Sequence, residues 1–398
     1  MAFGKSILQL KGVVQHYSWG GYEFIPHLLG IENKEHRPFA EYWMGAHGNH
    51  PAHINDAVTL NEFIAAHPED ILGDATKKKF GSLPYLLKVL DVRQMLSIQV
   101  HPSKEAAAIN FKEENNKHIP VNAPHRNYKD ENHKPELMVA LGDFWLLHGF
   151  KTEEDLVRVL EEKSELRFLK EIFLNKGYRR LYEEVMLMPQ EEVNQVLGPL
   201  LEKIIPAYKD GLIGRDSEDF WAARAAIEFC KNDNYDRGIF SVYLFNLVHL
   251  KKHEGIFQGS GLPHAYLEGQ NVEIMANSDN VLRAGLTDKH IDVHELLKHV
   301  KFEKTTPNIL KPGSPHKIFA SPAEEFELQE YLLAEGESLE IRSRTAEVFL
   351  LMEGGLQISA GGEKVEMNKG QCIFVKSGTG LILNALEETE LFRATVPA

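Results

Sequence analysis

Two short runs carry the residue types that hold metal ions, Gln99-Val100-His101 and His133-Lys134-Pro135-Glu136. A third, Pro263-His264-Ala265-Tyr266, supplies another imidazole more than a hundred residues later. Residues two apart on a strand face the same side, so Gln99 should point with His101, and Lys134 with Glu136. Imidazole and carboxylate form a borderline-hard donor set that suits zinc or a similar divalent ion. By residue type His101, Glu136 and His264 rank first as ligands. A glutamine ligand is uncommon, and spacing alone does not select Gln99. A metal with positions left open for water or substrate is the catalytic kind. With 19 histidines in the chain, a surface or core position is the commoner fate of any one of them. His47, His50 and His53 are the obvious rivals, but their run AHGNHPAH reads as a loop without a carboxylate beside it.

These runs must be brought together by the elements around them. Tyr85 to Leu90 and Met95 to Val100 are apolar runs of strand length. LNEFIAA, from Leu60 to Ala66, reads as a short helix with Pro68 just beyond it. From Thr152 the pattern changes. Leu156, Leu160, Phe168 and Ile172 recur at helical spacing between charges, and Thr152 with Asp155 resembles a capping box. QEEVNQVLGPLLEKII and DSEDFWAARAAIEF follow, so residues 152–231 read as an all-helical insertion. GIFSVYLFNLVHL is read as helical or mixed. The glycine-rich stretch from Glu254 to Gly285 suits antiparallel strands, and so do the last 80 residues, with turns at Gly354-Gly355, Gly361-Gly362 and Gly378. The expected fold is mixed and mainly β, with jelly-roll β domains and an α-helical insertion. Residues 1–151 and 232–312 form a discontinuous metal-bearing domain, 152–231 the insertion, and 313–398 a C-terminal jelly-roll-like domain.

Bulk properties narrow the function classes. A chain of 398 residues exceeds one ordinary core. The formal charge of -14 argues against a nucleic-acid partner. An anionic substrate then needs local cations within a Debye length, roughly 8 Å at physiological salt. Cys230 and Cys372 form no CxxC motif and read as buried packing residues in a reducing cytoplasm. No run approaches the roughly 18 apolar residues of a membrane span, and the first residues lack the apolar core of a cleaved signal. The expectation is a cytoplasmic protein with no membrane partner, a monomer rather than an obligate oligomer.

Four blocks then carry a resemblance. Ala40-Glu41-Tyr42-Trp43-Met44-Gly45-Ala46-His47, Leu96-Ser97-Ile98-Gln99-Val100-His101-Pro102, Tyr128 to Glu136 (YKDENHKPE) and Asn280 to Thr287 (NVLRAGLT) closely resemble the type I mannose-6-phosphate isomerases. They occur in the family's order, and the likeness spans nearly the whole chain. It implies a cupin-type, zinc-dependent enzyme with a helical insertion that interconverts mannose 6-phosphate and fructose 6-phosphate. It assigns one zinc per chain to Gln99, His101, Glu136 and His264, thereby promoting Gln99 to ligand, and places Arg283 in the active site. Gln-x-His in place of the usual cupin H-x-H matches the isomerase branch.

Such an isomerisation must open the sugar ring, polarise the carbonyl, move a proton between C1 and C2 through an enediol, and hold the phosphate. The proton needs a positioned base. Lys134, Glu273 and Asp279 are the candidates, and residue types do not choose among them. His133 is a candidate for ring opening. Glu273 and Asp279 could equally be hydrogen-bonding groups that orient ligands. No GxxxxGK[ST] loop is present. Phosphate would then fall to the planar fork of Arg283, the point charge of Lys88 and the hydroxyl of Ser97. Lys88 lies in the apolar run PYLLKVL, where a charge is costly unless paired or facing a cavity. Trp19 could stack on a sugar face. A non-catalytic sugar-binding cupin with a decayed metal site is the alternative from another class. The intact set of four ligands with Lys134 and Arg283 argues against it.

Overall fold

A computed structural model describes residues 4–55, 57–231, 234–311 and 313–397. The expected boundaries at 232 and 312, and the chain ends at 1 and 398, lie outside the described residues. Helix and strand are near parity, at 30% and 32%, so the fold is mixed.

One strand organises the larger β unit. His264–Ala276 is thirteen residues long and pairs antiparallel with Tyr85–Val92, Gln99–Val100, Glu136–Ala140 and Phe144–Phe150. It serves so many partners by bending. A register shift falls between Tyr266 and Glu268, and Gly269 follows at φ +131°, where an added Cβ would lie 2.6 Å from the Phe144 ring. Bulge and glycine together turn a strand from one sheet direction to another. Glu41–Gly45 and Val13–Gln15 extend this sheet on one side, and Phe245–Leu250 on the other.

The second β unit is a sandwich of two antiparallel sheets. Its six-stranded sheet runs Ile7–Leu10, Cys372–Val375, Glu347–Glu353, Thr389–Thr395, Glu327–Leu333 and His316–Phe319. The four-stranded sheet opposite runs Ser338–Arg342, Gly380–Ala385, Gly355–Ala360 and Glu363–Asn368. Phe349, Leu351, Ile373 and Leu391 meet Leu356, Ile358 and Leu383 between the layers. The sheets differ in sequence pattern for a physical reason. Gly380–Ala385 alternates exposed and buried residues, whereas every residue of Thr389–Thr395 is buried. The back of the six-stranded sheet packs Val348, Phe374 and Phe392 against Leu87, Val89 and Ile274 of the larger unit, so neither face of Thr389–Thr395 meets water. The first strand also departs from the expected division. Ile7–Leu10 lies not in the larger sheet but beside Cys372–Val375.

The insertion comprises helices Glu153–Glu162, Arg167–Leu187, Gln190–Lys209 and Glu218–Phe229. Thr152 caps the first by accepting from the Asp155 amide at 3.2 Å, and its hydroxyl donates to the Asp155 carboxylate at 2.9 Å. Leu156 and Leu160 are buried as expected, but Phe168 is 41% exposed. The helix stops at Glu162 and a new one starts at Arg167, so spacing counted across the break has no meaning. GIFSVYLFNLVHL is mixed: helix Gly238–Leu244, then strand Phe245–Leu250. Cys372 is fully buried while Cys230 is only half-buried, and both are free. No described helix is long and apolar enough to cross a membrane.

Candidate active site

Strand register assembles the centre. Gln99 lies opposite His264, Arg283 opposite Gln99, Lys88 opposite Glu273, and Glu136 opposite both Met275 and Gln258. Two sequence expectations are corrected here. Of the Met95 to Val100 run only Gln99–Val100 is strand. The amides of Met95, Leu96 and Ile98 go instead to the Glu228 carboxylate and to the carbonyls of Tyr266 and Gly285. Lys134 also lies outside a strand, because Pro135 has no N–H for a ladder and pairing begins at Glu136.

His101, Glu136 and His264 nevertheless converge, with ligand atoms all within 4.8 Å of one another. His101 Nε2 is 3.4 Å from one Glu136 oxygen, and His264 Nε2 is 3.3 Å from the other. Donors at tetrahedral corners about 2.0–2.1 Å from a zinc ion stand roughly 3.3 Å apart. The tautomers agree. His101 Nδ1 donates to the Asn280 carbonyl at 2.8 Å, and His264 Nδ1 to the Leu262 carbonyl at 2.9 Å. Each Nε2 is then a bare lone pair aimed at a carboxylate, and His101 Nε2 is buried without a hydrogen-bond partner. Acceptors facing one another in a buried pocket are repulsive until a cation sits between them, so these residues fit zinc. Burial alone would raise the Glu136 pKa, but the Lys134 ammonium opposes it and the carboxyl is held well below the usual range. Lys134 Nζ stands 3.0 Å from Glu136. Gln99 lines the same small cavity as Glu136 and His264.

Asn280 fastens this centre from behind. It is fully buried, its carbonyl takes His101, and its side-chain amide donates to the carbonyls of Asp130 and Asn132 at 2.8 Å. The loop that carries Lys134 and the tautomer of His101 are thereby set by one residue.

The small cavity opens into one of about 900 Å³. Arg283, Ser97, Trp19 and Asp279 line it, and Lys88, Lys134 and Gln99 line both. Lys129 and Lys289 also line the large cavity, as do Tyr17 and Glu41. Residue types had not singled these out, although Glu41 and Lys129 sit inside the quoted blocks. Burial lowers the Arg283 pKa, and among the described residues no carboxylate is paired with it. Lys129 and Lys289 are likewise depressed by burial, and the charge of Arg283 adds to the depression of both. Three cations that repel one another in a partly buried wall suit an anion.

Lys88 is engaged differently from a free point charge. It is buried 3.3 Å from Glu273 and 3.6 Å from Glu41, and lies over the Trp43 ring. Burial opposes its charge, but the two carboxylates outweigh burial and hold its pKa above the usual lysine value. Glu273 also accepts from the Tyr266 hydroxyl at 2.8 Å, and burial together with Glu136 raises its pKa. Asp279 pairs with His47 at 3.3 Å. His47 and His50 pack edge-on against Trp43, and the rival histidines form no ligand cluster among the described residues.

His133 turns away from both cavities and meets Glu325 at 2.8 Å, where Lys104 also bonds at 3.0 Å. Burial would raise the Glu325 pKa, yet these two donors bring it down to about 2. A carboxyl depressed in the folded state stabilises the fold above its unfolded pKa, about 4.3. That contribution fades as pH falls from there towards 2. Glu325→Gln should therefore cost about 1–2 kcal/mol at pH 7, after discounting for solvent screening, and almost nothing near pH 2. Urea unfolding of both proteins across this range checks it. A gap that stays constant with pH would rule the account out.

Comparison with known proteins matches this geometry. Residues 7–153 match the model for the phosphomannose isomerase type I catalytic domain. Mannose-6-phosphate isomerase of Escherichia coli K12 is 36% identical over 380 residues, covering 92% of this chain and 94% of that one. The chain belongs to the type I mannose-6-phosphate isomerase family. The mouse member of that family is 30% identical, over 98% of this chain and 96% of its own. The solved Salmonella typhimurium isomerase, described as bound to its substrate fructose 6-phosphate and to zinc, superposes with a TM-score of 0.87 at 31% identity. It covers 99% of this chain and all of that one, so the cupin fold of the type I isomerases is shared over nearly the whole chain. Lys88, Gln99, His101, Lys134 and Glu136 fall within the matched residues 7–153; His264, Asp279 and Arg283 line the same two cavities from later in the chain.

Proposed function

We propose that the chain catalyses the zinc-dependent interconversion of mannose 6-phosphate and fructose 6-phosphate. The observation that carries this is the facing set His101, Glu136 and His264, within a fold shared with isomerases solved with zinc and with fructose 6-phosphate. Zinc would be held by these three and by Gln99, which lines the same cavity. When bound it supplies Lewis-acid polarisation of the substrate carbonyl.

The chain's own residues do the rest. Lys134 Nζ moves the proton between C1 and C2 through an enediol, since it alone among the candidate bases stands beside the donor set and reaches both cavities. Glu273 is committed to Lys88 and Tyr266, and Asp279 to His47, so both position neighbours. His133 braces its loop against Glu325 rather than opening the ring. Arg283, with Lys129 and Lys289 behind it and Ser97 nearby, takes the phosphate, and Trp19 with Tyr17 walls the sugar. Lys88 holds the metal end rather than the phosphate. Arg283→Ala should lose about 3 kcal/mol of transition-state binding, roughly a hundredfold in kcat/KM and mostly through KM. An unchanged KM in steady-state kinetics would remove Arg283 from this role.

A coupled assay for fructose 6-phosphate formation from mannose 6-phosphate, run with and without a chelator, tests the whole reading. Turnover in metal-replete buffer, lost on chelation and restored by zinc, is expected. No product under metal-replete conditions would sink it. A monomeric cytoplasmic enzyme without nucleic-acid or membrane partners is the accompanying proposal; the charge of -14 bears on nucleic acid, and no described helix is long and apolar enough to cross a membrane. Sedimentation at 45.2 kDa would check the monomer.

A further inference from the structure

A second set of ligand-type side chains lies on the side of the larger β unit that faces the C-terminal sandwich. His253, Glu330 and Glu390 place one ligand atom each within 4.8 Å of one another. His253 sits in the turn between strands Phe245–Leu250 and Gly255–Gln258, while Glu330 and Glu390 project from the adjacent strands Glu327–Leu333 and Thr389–Thr395. Glu330 and Glu390 are only 2% and 6% exposed.

Three observations point to a ligand. Glu390 accepts from Lys252 on Oε2 at 2.6 Å, but its Oε1 is buried with no partner. A buried carboxylate oxygen left without a partner is costly, and a cation would relieve it. His253 adopts φ +69°, unusual for a non-glycine residue, and its amide is pinned to the Ala140 carbonyl at 2.8 Å. That backbone aims Nδ1 at Glu330, 2.6 Å away. A cavity of about 400 Å³, lined by Lys252, His253, Glu388 and Glu390, gives an ion and its waters a way in.

We propose that His253, Glu330 and Glu390 form a second, structural site for a divalent cation of the zinc or manganese class. One imidazole and two carboxylates make a borderline-hard set, with water filling the remaining positions. The cation replaces the proton shared by His253 and Glu330 and releases it to solvent. Lys252, whose side chain is 46% exposed, is free to swing out, and Lys317 remains as a counter-charge to Glu330. The ion pins the turn of the larger unit to two neighbouring strands of the sandwich. That turn leads into Gly255–Gln258, whose register partner is the strand bearing Glu136, so the clamp sits at the far end of a catalytic ladder.

Equilibrium dialysis of the full-length, zinc-loaded enzyme against micromolar zinc chloride, followed by elemental analysis, tests this. Wild type should hold one more zinc per chain than either Glu330→Gln or His253→Asn, with kcat unchanged in both. Zinc added after the catalytic site is filled should raise the melting temperature of wild type and of neither variant. If Glu330→Gln fails to fold, His253→Asn, altered on a half-exposed turn, gives the same comparison. Equal zinc in wild type and variants would overturn the proposal and leave a closed ion-pair network with a protonated His253.

Discussion

Glu136→Gln is expected to yield a folded protein that retains no catalytic zinc and turns over at about a thousandth of the wild-type rate or less. The substitution keeps the shape of the side chain and removes its charge. Both histidine lone pairs face this one carboxylate, and Lys134 leans on it. Neutralising it removes the only anion among the donors, so metal affinity falls first. A Lewis acid contributes several kcal/mol of transition-state stabilisation; about 4 kcal/mol corresponds to the thousandfold loss. The Lys134 ammonium, its side chain only 12% exposed, also loses its partner. Breaking a buried ion pair costs about 3–5 kcal/mol, and the lower end applies where the group retains access to a cavity. Zinc per chain, kcat and melting temperature should therefore fall together. Retention of one zinc per chain with a tenth or more of wild-type turnover would defeat this account of the centre.

Lys134 separates chemistry from metal binding. Lys134→Met should keep its zinc, show a modest change in KM, and lose about 10²–10⁴ in kcat, the usual worth of a positioned proton-transfer group. Lys134→Arg is the decisive companion. It restores the cation beside Glu136 but not a nitrogen that can lose and regain a proton, since a guanidinium stays protonated in proteins. If Nζ moves the proton, the arginine variant stays as slow as methionine, and both fail to exchange the substrate's C2 hydrogen with deuterated solvent. Recovery in Lys134→Arg would make the role electrostatic and return the base assignment to Glu273 or Asp279.

How far such residues can be read from a sequence depends on what places them. His101, Glu136 and His264 are legible by type because few other side chains bind zinc. Gln99 was not; its amide gains meaning only from lying opposite His264, a pairing that spans the insertion. The Leu60–Ala66 helix and the Thr152 cap were legible because caps and periodicity are local. The strand assigned to Lys134 failed on a local rule that was available, the missing N–H of Pro135. The placement of Ile7–Leu10 had no local signal at all, since an edge strand looks the same whichever sheet it joins. Lys129 and Lys289 carry no local signal, because a surface lysine and a cavity lysine differ only in their distant neighbours. His133 was overvalued by adjacency: one residue from Lys134 in the chain, it faces Glu325 instead.

The route of the chain also sets a schedule. Synthesis runs from the N-terminus at about 5–20 residues per second. Ile7–Leu10 is therefore made hundreds of residues before its partner Cys372–Val375. The strand that gathers the catalytic side chains, His264–Ala276, arrives only after the helical insertion has been extruded. His101 and Glu136 wait unpaired in the meantime, and the apolar first strand waits longer still. Pairings this remote close slowly and leave strand edges open to other chains. The nascent chain is thus open to aggregation for the tens of seconds that separate the synthesis of Ile7–Leu10 from that of Cys372–Val375.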